Sequence, residues 1–398
     1  MPEGATMPAG SPLQKRLSEA LAQIRAADLY RLRRVIDGGH GVQLRVNGRD
    51  CLNFCSNDYL GLASDPRVAE AARAALAQGT GSGASALVCG YNREHQRLEE
   101  ELADFLGAPR VLLFSSGWAA NLGVLRGLLG RDDHLLADEL NHASLIDGGR
   151  LSAAQYMRVA HADAAAFEAE LSRLGAQATG LKLLVSDSVF SMDGDLAPLA
   201  ALQRLAQRHG AALMVDDAHG FGVLGEQGRG SFEALGLPLP DIYVATAGKA
   251  LGSSGAFVAG SQDLIEYLVQ RARSWVFSTA PPPAIAAATR CALGIIRSEP
   301  ERRAQLGANI RRLREGAQQL GIVLGDSQTA IQPLILGEAA RTLAVSAALF
   351  ERGYWVAGIR PPTVPKNSSR LRITLSATHT AAQIDGLLEA LAAALKSG

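Results

Sequence analysis

The side chains best able to carry out chemistry follow two apolar runs in the middle of the chain. One run ends in Asp216, and His219 stands three residues later. The other ends in Thr246 and continues into Gly248 and Lys249. Lysines usually lie on solvated faces, so a lysine among small residues just past an apolar run is unusual. Desolvation would lower the pKa of its amine and make it a nucleophile for a carbonyl carbon.

A lysine of this kind and a nearby carboxylate indicate an aldehyde cofactor. A pyridine aldehyde bound to Lys249 needs an anion that keeps its ring nitrogen protonated, and Asp216 meets that need. A phosphate group would fit at residues 114–121, FSSGWAAN, where a strand end opens into a helix with free N–H groups. His142 follows the next apolar run, where an imidazole can lie flat on a ring.

The elements that must position these residues form a repeating pattern. Short apolar runs alternate with longer helical stretches from about residue 66 to 245. This alternation predicts a mostly parallel sheet covered by helices on both faces, with ligands bound outside the carboxyl ends of its strands. The predicted strands are 111–114, 134–138, 181–186, 212–216 and 242–246, and the predicted helices are 94–106, 117–129, 163–174 and 198–208.

Two further regions flank this pattern. The spacing of apolar residues predicts one helix over 13–34, and Asn47-Gly48 predicts the turn of a small hairpin. After three consecutive prolines at 281–283, helices are predicted at 284–297, 299–319, 339–352 and 380–396, with strands at 331–336, 354–357 and 371–375. We therefore expect an N-terminal helical arm and hairpin (1–55), a large cofactor-binding domain (56–295) and a small C-terminal α/β domain (296–398).

Composition excludes several classes of function. Lys plus Arg is 39 and Asp plus Glu is 39, so the net charge is zero and no basic face for nucleic acid is expected. No run approaches the roughly 18 apolar residues of a membrane span. The N-terminus has no apolar stretch typical of a secretory signal, and four cysteines are too few for a disulfide scaffold. These observations predict a cytoplasmic enzyme that contacts neither nucleic acid nor membrane.

Two other motifs are weaker. GTGSGASA, residues 79–86, follows a helix-like run where a dinucleotide fingerprint would need a strand, so a glycine-rich loop is the better interpretation. His134, Asp138 and His142 have the spacing of metal ligands on a helix. The first two lie in a predicted strand, where such residues do not converge with the third, so no metal is expected.

Several segments together resemble the α-oxoamine synthases, a family of pyridoxal 5'-phosphate (PLP) enzymes. The likeness runs from about residue 13 to the end and implies the fold of aspartate aminotransferase and a PLP-dependent C-acyltransferase activity. The matching segments are SNDYLGL (56–62), GYNREHQRLEEELADFLG (90–107), DSVFSMDGDLAPL (187–199), VDDAHGFGVLGEQGRG (215–230) and TAGKALGSSG (246–255).

The resemblance implies roles for individual residues. Lys249 would carry the cofactor and shuttle a proton, Asp216 would pair with the pyridine nitrogen, His142 would stack on the ring, and His219 would bond its phenolate oxygen. The other residues expected to hold the cofactor are Gly117, Trp118, Ser191 and Thr246, with Ser278 and Thr279 lent by a second subunit. The residues expected to meet the substrates are Arg31, Asn57, His142, Arg360 and Thr363.

Three C-terminal segments point to one branch of this family. AIQPLILG (330–337), IRPPTVP (359–365) and RLRITLSATH (370–379) resemble the biotin-pathway members, which join L-alanine to a pimeloyl thioester. The likeness implies a homodimer with shared active sites. It leaves open whether the acyl group arrives on coenzyme A or on a carrier protein. Another synthase of the family, such as 2-amino-3-ketobutyrate ligase, and a non-catalytic regulator with the same fold remain as alternatives.

Overall fold

The computed structural model describes residues 10–175 and 178–397. Its helices are α1 Pro12–Ala26, α2 Pro66–Leu76, α3 Arg93–Leu106, α4 Gly117–Leu128, α5 Ala143–Leu151, α6 Ala164–Leu174, α7 Leu199–His209, α8 Ser231–Ala234, α9 Gln262–Arg271, α10 Arg273–Val276, α11 Pro283–Ser298, α12 Glu301–Gln319, α13 Ala339–Glu351 and α14 Ala381–Ser397. Its strands are β1 Ile36–Asp37, β2 Gln43–Val46, β3 Arg49–Asn53, β4 Arg110–Phe114, β5 His134–Asp138, β6 Gln155–Val159, β7 Lys182–Asp187, β8 Ala212–Asp216, β9 Ile242–Thr246, β10 Ala256–Gly260, β11 Ile331–Gly337, β12 Tyr354–Trp355, β13 Ala357–Ile359 and β14 Ser369–Thr374. 

A seven-stranded sheet forms the centre of the molecule. Its strand order is β4-β10-β9-β8-β7-β5-β6, and only β10 runs antiparallel to its neighbours. All five predicted apolar runs are strands of this sheet, so the predicted fold class is confirmed. The predictions omitted β6, which has one buried residue, and β10, which follows β9 after a nine-residue loop.

Side chains of the central strands alternate between two cores. On β8, Leu213 and Val215 enter one apolar cluster, whereas Met214 enters another on the opposite face of the sheet. On β9, Tyr243 and Val244 divide in the same way. Burial on both faces explains why these strands are apolar throughout, and it leaves their carboxyl ends as the place for polar side chains.

The N-terminal helix is shorter than predicted. The helix α1 ends at Ala26, not at residue 34, because Asp28 adopts a left-handed conformation with φ 57° that breaks the helix. None of its residues is buried, and the apolar stripe Leu13, Leu17, Leu21 and Ile24 is exposed. The periodicity of the apolar residues therefore predicted the amphipathic helix correctly over residues 13–26 and wrongly over residues 27–34.

The hairpin prediction is confirmed. Asn47 and Gly48 both have positive φ, as a two-residue hairpin turn requires, and β2 pairs with β3 on either side of them. This sheet also takes in β12 from the C-terminal part of the chain. The domain division at residues 55 and 295 stays a prediction.

A three-stranded sheet, β11-β14-β13, completes the C-terminal part. The single strand predicted over 354–357 is wrong: β12 pairs with β3 whereas β13 pairs with β14, so the chain changes sheets at the buried Val356. The backbone N–H of Thr374 donates to the carbonyl of Phe54, which ties this sheet to the segment that carries Asn57. No helix in the described part of the chain is long and apolar enough to cross a membrane.

Candidate active site

The predicted cofactor residues meet at the carboxyl edge of the central sheet. Asp187, the last residue of β7, is the register partner of Asp216, the last residue of β8. Asp216 in turn lies opposite Val244 of β9, two residues before Thr246 and the turn to Lys249. Parallel strands thus bring two carboxylates and the lysine to the same edge.

Lys249 is held beside an imidazole. Its Nζ lies 2.9 Å from Nε2 of His219. Desolvation lowers the pKa of the Lys249 amine to about 8, an effect that the charges of Asp216 and Asp187 partly offset. A large share of the amine is therefore neutral near pH 8, as a nucleophile for an aldehyde must be.

The carboxylate of Asp216 is buried and fixed by two donors. Its Oδ2 accepts from Nδ2 of Asn121 at 2.7 Å, and its Oδ1 accepts from the backbone N–H of Ala218 at 3.0 Å. Beside it, burial and the charge of Asp216 raise the pKa of the Asp187 carboxyl well above its usual range. Asp216 is the residue predicted to pair with a pyridine nitrogen, and its two donors hold the carboxylate in place.

His142 caps helix α5 at the same edge. Its backbone N–H donates to Oδ2 of Asp187 at 2.5 Å, and its Nδ1 lies 2.7 Å from Oγ of Ser144. The Trp118 ring meets the imidazole edge-on, with centroids 6.2 Å apart at 81°. Desolvation lowers the pKa of His142, and the positive charge of Lys249 lowers it further against the opposing effect of Asp216. A neutral ring with one exposed side can lie against a cofactor.

The start of helix α4 provides room for an anion. Ser116 caps the helix by accepting from the N–H of Ala119 at 3.1 Å. A Cβ placed on Gly117 would meet no heavy atom within 4 Å, so the first turn is open. Thr246 shapes the facing turn, since its hydroxyl donates to the carbonyl of Gly255 at 2.8 Å and accepts from Gly248 N at 3.2 Å. This arrangement suits a phosphate.

A second anion site lies on the C-terminal segment. A terminal nitrogen of Arg31 donates to Oγ1 of Thr363 at 3.3 Å, and one of Arg360 donates to the carbonyl of Tyr30 at 2.6 Å. The Nε of Arg360 is buried and has no hydrogen-bond partner among the described residues. Desolvation and the charge of Arg31 lower the pKa of Arg360. A carboxylate would satisfy these guanidinium groups, so three predicted substrate residues are brought together.

Arg372 is one residue of the candidate site that sequence reasoning missed. It is 6% exposed, its Nε donates to the carbonyl of Ser191 at 2.5 Å, and its two terminal nitrogens lie 3.1 Å from Oδ1 of Asn57. Two predicted residues, Ser191 and Asn57, are thus fixed by one buried guanidinium. Tyr59 was missed as well, and its hydroxyl lies 2.5 Å from Nδ1 of His219. Both residues stand in segments that matched the family, RLRITLSATH and SNDYLGL.

Ser278 and Thr279, which are predicted to serve a second subunit, have other contacts within this chain. Thr279 forms an isolated bridge with Ser85, and Ser278 lines a small cavity with Tyr91 and Trp275. Among the described residues, no group of three acidic, histidine or cysteine side chains could hold a metal. Asp138, from the weak metal motif, lies 2.9 Å from Nδ1 of His161.

The donor set matches PLP on three separate points. An amine of lowered pKa, a buried carboxylate fixed by two donors and an open helix start correspond to the aldehyde, the ring nitrogen and the phosphate of that cofactor. The buried Oδ1 of Asn121 has no partner among the described residues. Asn121 is therefore held by its donor atoms, which face the carboxylate of Asp216.

Comparisons with known proteins agree with this site. Residues 49–391 match the family model for class I and II aminotransferases. The chain is 56% identical to the 8-amino-7-oxononanoate synthase of Methylococcus capsulatus over 95% of this chain and 98% of that protein. It is 53% identical to the same enzyme of Thioalkalivibrio sulfidiphilus over 94% and 96%.

Solved structures give the same family. The serine palmitoyltransferase of Sphingomonas wittichii superposes with a TM-score of 0.90 at 32% identity, covering 98% of this chain and 99% of that one. An 8-amino-7-oxononanoate synthase from Francisella tularensis superposes with a TM-score of 0.73 at 31% identity, covering 87% and 98%. The chain therefore belongs to the class I and II aminotransferase family and, within it, to the 8-amino-7-oxononanoate synthase family of PLP-dependent acyltransferases.

Proposed function

We propose that this chain catalyses the decarboxylative condensation of L-alanine with a pimeloyl thioester, which forms 8-amino-7-oxononanoate in biotin biosynthesis. The single observation that carries the proposal is Lys249, whose amine has a pKa of about 8 and lies 2.9 Å from His219 beside the charged Asp216. The 56% identity to a synthase of that name supports the choice of reaction within the family.

Lys249 is the residue we expect to hold PLP and to move protons. When bound, PLP supplies an electron sink that stabilises negative charge at the α-carbon of alanine. A released Lys249 amine with a pKa of about 8 is well matched to remove the α-proton and later to return one. Asp216 would hold a proton at the ring nitrogen, which its single negative charge favours.

The remaining cofactor contacts follow from the edge of the sheet. The imidazole of His142 would lie on the ring, and His219 and Ser191 would donate to its phenolate oxygen. Thr246 and the backbone N–H groups of Gly117 and Trp118, at the start of α4, would hold the phosphate.

The second anion site is expected to orient the substrates. Arg360 would bind the carboxylate of alanine through two parallel N–H bonds, which sets the direction of the bond that later releases carbon dioxide. Arg31 and Thr363, which contact each other, would meet the acyl substrate, and Asn57 would border it. The thiol leaves as the α-carbon attacks the thioester carbonyl.

We further infer a homodimer with shared sites. The apolar stripe of α1 is exposed, and so is a group of large apolar side chains near the predicted phosphate contacts Ser278 and Thr279. Surfaces of this kind are buried by a second copy in symmetric dimers. The exposed residues are Leu87, Val88, Tyr91, Trp118 and Phe277. The four cysteines are free, which supports a reducing compartment such as the cytoplasm.

A matrix of substrates tests the reaction. Alanine, glycine and serine would each be supplied with pimeloyl, acetyl, succinyl and palmitoyl thioesters of coenzyme A, and the pimeloyl group also on a carrier protein. We expect product only from alanine with a pimeloyl donor, identified by mass. Turnover of glycine with acetyl or serine with palmitoyl thioester would instead select another synthase of the family. A protein that stayed colourless with added PLP would select the non-catalytic regulator.

A further inference from the structure

We propose that Asn121 is a positioning residue that fixes both the carboxylate of Asp216 and the tautomer of His142. Asn121 lies on α4 and is completely buried. Its Nδ2 donates to Oδ2 of Asp216 at 2.7 Å and to Oγ of Ser144 at 2.8 Å. The inference rests on the proposed function, because it assigns the amide a role around the bound cofactor.

The direction of these bonds follows from the carboxylate. An ionised Asp216 can only accept hydrogen bonds, so the amide must turn its nitrogen and not its oxygen toward it. Both protons of Nδ2 are then used, one on Asp216 and one on Ser144. The Oδ1 of Asn121 is buried without a partner among the described residues, so the donor side of the amide alone holds the arrangement.

Ser144 links the amide of Asn121 to the imidazole of His142 through hydrogen bonds. Its Oγ accepts from Asn121, which leaves its single proton to be donated to Nδ1 of His142, 2.7 Å away. The backbone N–H of Ser144 also donates to Nδ1, at 3.3 Å. Nδ1 thus accepts two hydrogen bonds, and the proton of the neutral ring must lie on Nε2.

One buried amide therefore coordinates two groups on different elements. Asp216 ends β8 and His142 precedes α5, and they are expected to meet the ring nitrogen and the ring face of the same cofactor. If Asn121 were lost, the Ala218 N–H would be the one donor left to Asp216 among the described residues, and Ser144 could direct its proton elsewhere. The contacts of Asp216 and of His142 with the cofactor would then weaken together. Loss of a residue that touches only Asp216 or only His142 would weaken one of them.

The test compares three variants with a matched control. Asn121→Leu keeps the approximate size of the side chain and removes the donor, Asn121→Ala removes the whole amide, and Ser144→Ala breaks only the branch to His142. Asn309→Ala is the control, because Asn309 is also a buried asparagine whose Nδ2 makes two hydrogen bonds, to the carbonyls of Ser376 and His379. Each protein is titrated with PLP by absorbance, and ¹⁵N-histidine NMR without cofactor reads the tautomer of His142. His142→Asn assigns that signal.

We expect both Asn121 variants to bind PLP roughly tenfold more weakly or worse, the effect of losing a hydrogen bond to a charged group. They should also lose the Nε2–H preference of His142. Ser144→Ala should lose that preference while its PLP affinity stays within about threefold of the parent. Asn309→Ala should lower only the melting temperature.

Two results would overturn the inference. One is a folded Asn121→Leu protein with the PLP affinity of the parent, and the other is a parent protein with the proton of His142 on Nδ1. A failure of the proposed function looks different. The parent would then bind no PLP or form no product, while the NMR measurement, which uses no cofactor, would still report on Asn121 and His142.

Discussion

The Nζ of Lys249 lies 2.9 Å from Nε2 of His219, so a hydrogen bond joins the amine and the imidazole. On the other side of the ring, the hydroxyl of Tyr59 lies 2.5 Å from Nδ1. Burial raises the pKa of Tyr59 to about 12 and lowers that of His219 well below its usual range. The imidazole is therefore neutral, and it lies between the hydroxyl of Tyr59 and the amine of Lys249.

Tyr59→Phe should consequently slow turnover without unfolding the protein. Loss of the hydroxyl removes the hydrogen bond that holds Nδ1 of His219, and a lost hydrogen bond of this size corresponds to about a tenfold lower kcat. Steady-state kinetics and thermal unfolding measure both effects. Tyr243→Phe is the matched control, since it removes a buried hydroxyl that bonds Asp217 instead. An unchanged kcat in Tyr59→Phe would contradict a role for this hydrogen bond in orienting His219.

Replacement of the lysine should abolish the covalent attachment of PLP. In Lys249→Ala, borohydride reduction should leave no cofactor on the protein, and turnover should fall by roughly 10²–10⁴ with the loss of the proton-transfer group. Mass spectrometry and a product assay measure the two effects. Lys396→Ala, at the end of α14, should behave like the parent. Normal turnover in Lys249→Ala would disprove the mechanism.

The lowered pKa of Lys249 predicts how attachment of PLP depends on pH. The neutral fraction of an amine with a pKa of about 8 rises about fivefold from pH 7 to pH 8 and levels off near pH 9. The rate at which the cofactor-free protein takes up PLP, followed by absorbance after rapid mixing, should rise in the same way. A rate that kept climbing to pH 10.5 would show an ordinary lysine.

The same shift affects the stability of the cofactor-free protein. The unfolded chain binds more protons at Lys249 than the folded one between about pH 8 and pH 10.5. The contribution of this residue to the free energy of unfolding therefore increases with pH across that window and is constant below it. Urea unfolding of the parent and of Lys249→Met should converge as the pH rises through the window. Parallel pH profiles would contradict the desolvation of Lys249.

Arg360→Ala should weaken the binding of alanine and leave the cofactor in place. Loss of a bidentate bond to a carboxylate should raise the KM for alanine by roughly ten- to a hundredfold. The PLP affinity should match that of the parent, because Arg360 is expected to bind the alanine carboxylate and not the cofactor, and its hydrogen bond within the chain goes to the carbonyl of Tyr30. Arg352→Ala is the control, since this arginine donates only to a carbonyl of its own helix. An unaltered KM would remove Arg360 from the site.

Shared active sites would allow two defective chains to rescue each other. Lys249→Ala lacks one part of the site and the double variant Ser278→Ala/Thr279→Ala lacks the other. In a mixed dimer one site collects both defects and the other collects none, so refolding the two chains together should restore about a quarter of the parent activity. Refolding each variant alone gives the baseline. Activity no higher than that baseline would place Ser278 and Thr279 outside the shared site.

The sequence predicted those features that depend on the residues of a single strand or turn. Buried parallel strands must be apolar throughout and end at a polar edge, so Asp216 and Thr246 could be placed at the site from the composition of β8 and β9 alone. The hairpin at Asn47 and Gly48 was equally local, because only residues tolerant of positive φ form that turn.

The structure decided what depends on contacts between distant segments. Arg372 is 315 residues away from Asn57 in the sequence, where it resembles any other charged residue of a strand. In the fold it is buried against Asn57 and Ser191. Tyr59 and His219 are likewise 160 residues apart. Local patterns record which face a residue takes in its own element, whereas a hydrogen bond between elements exists only once the sheets have packed. The residue types for the chemistry could therefore be read from the sequence, and the side chains that hold them in place emerged from tertiary structure.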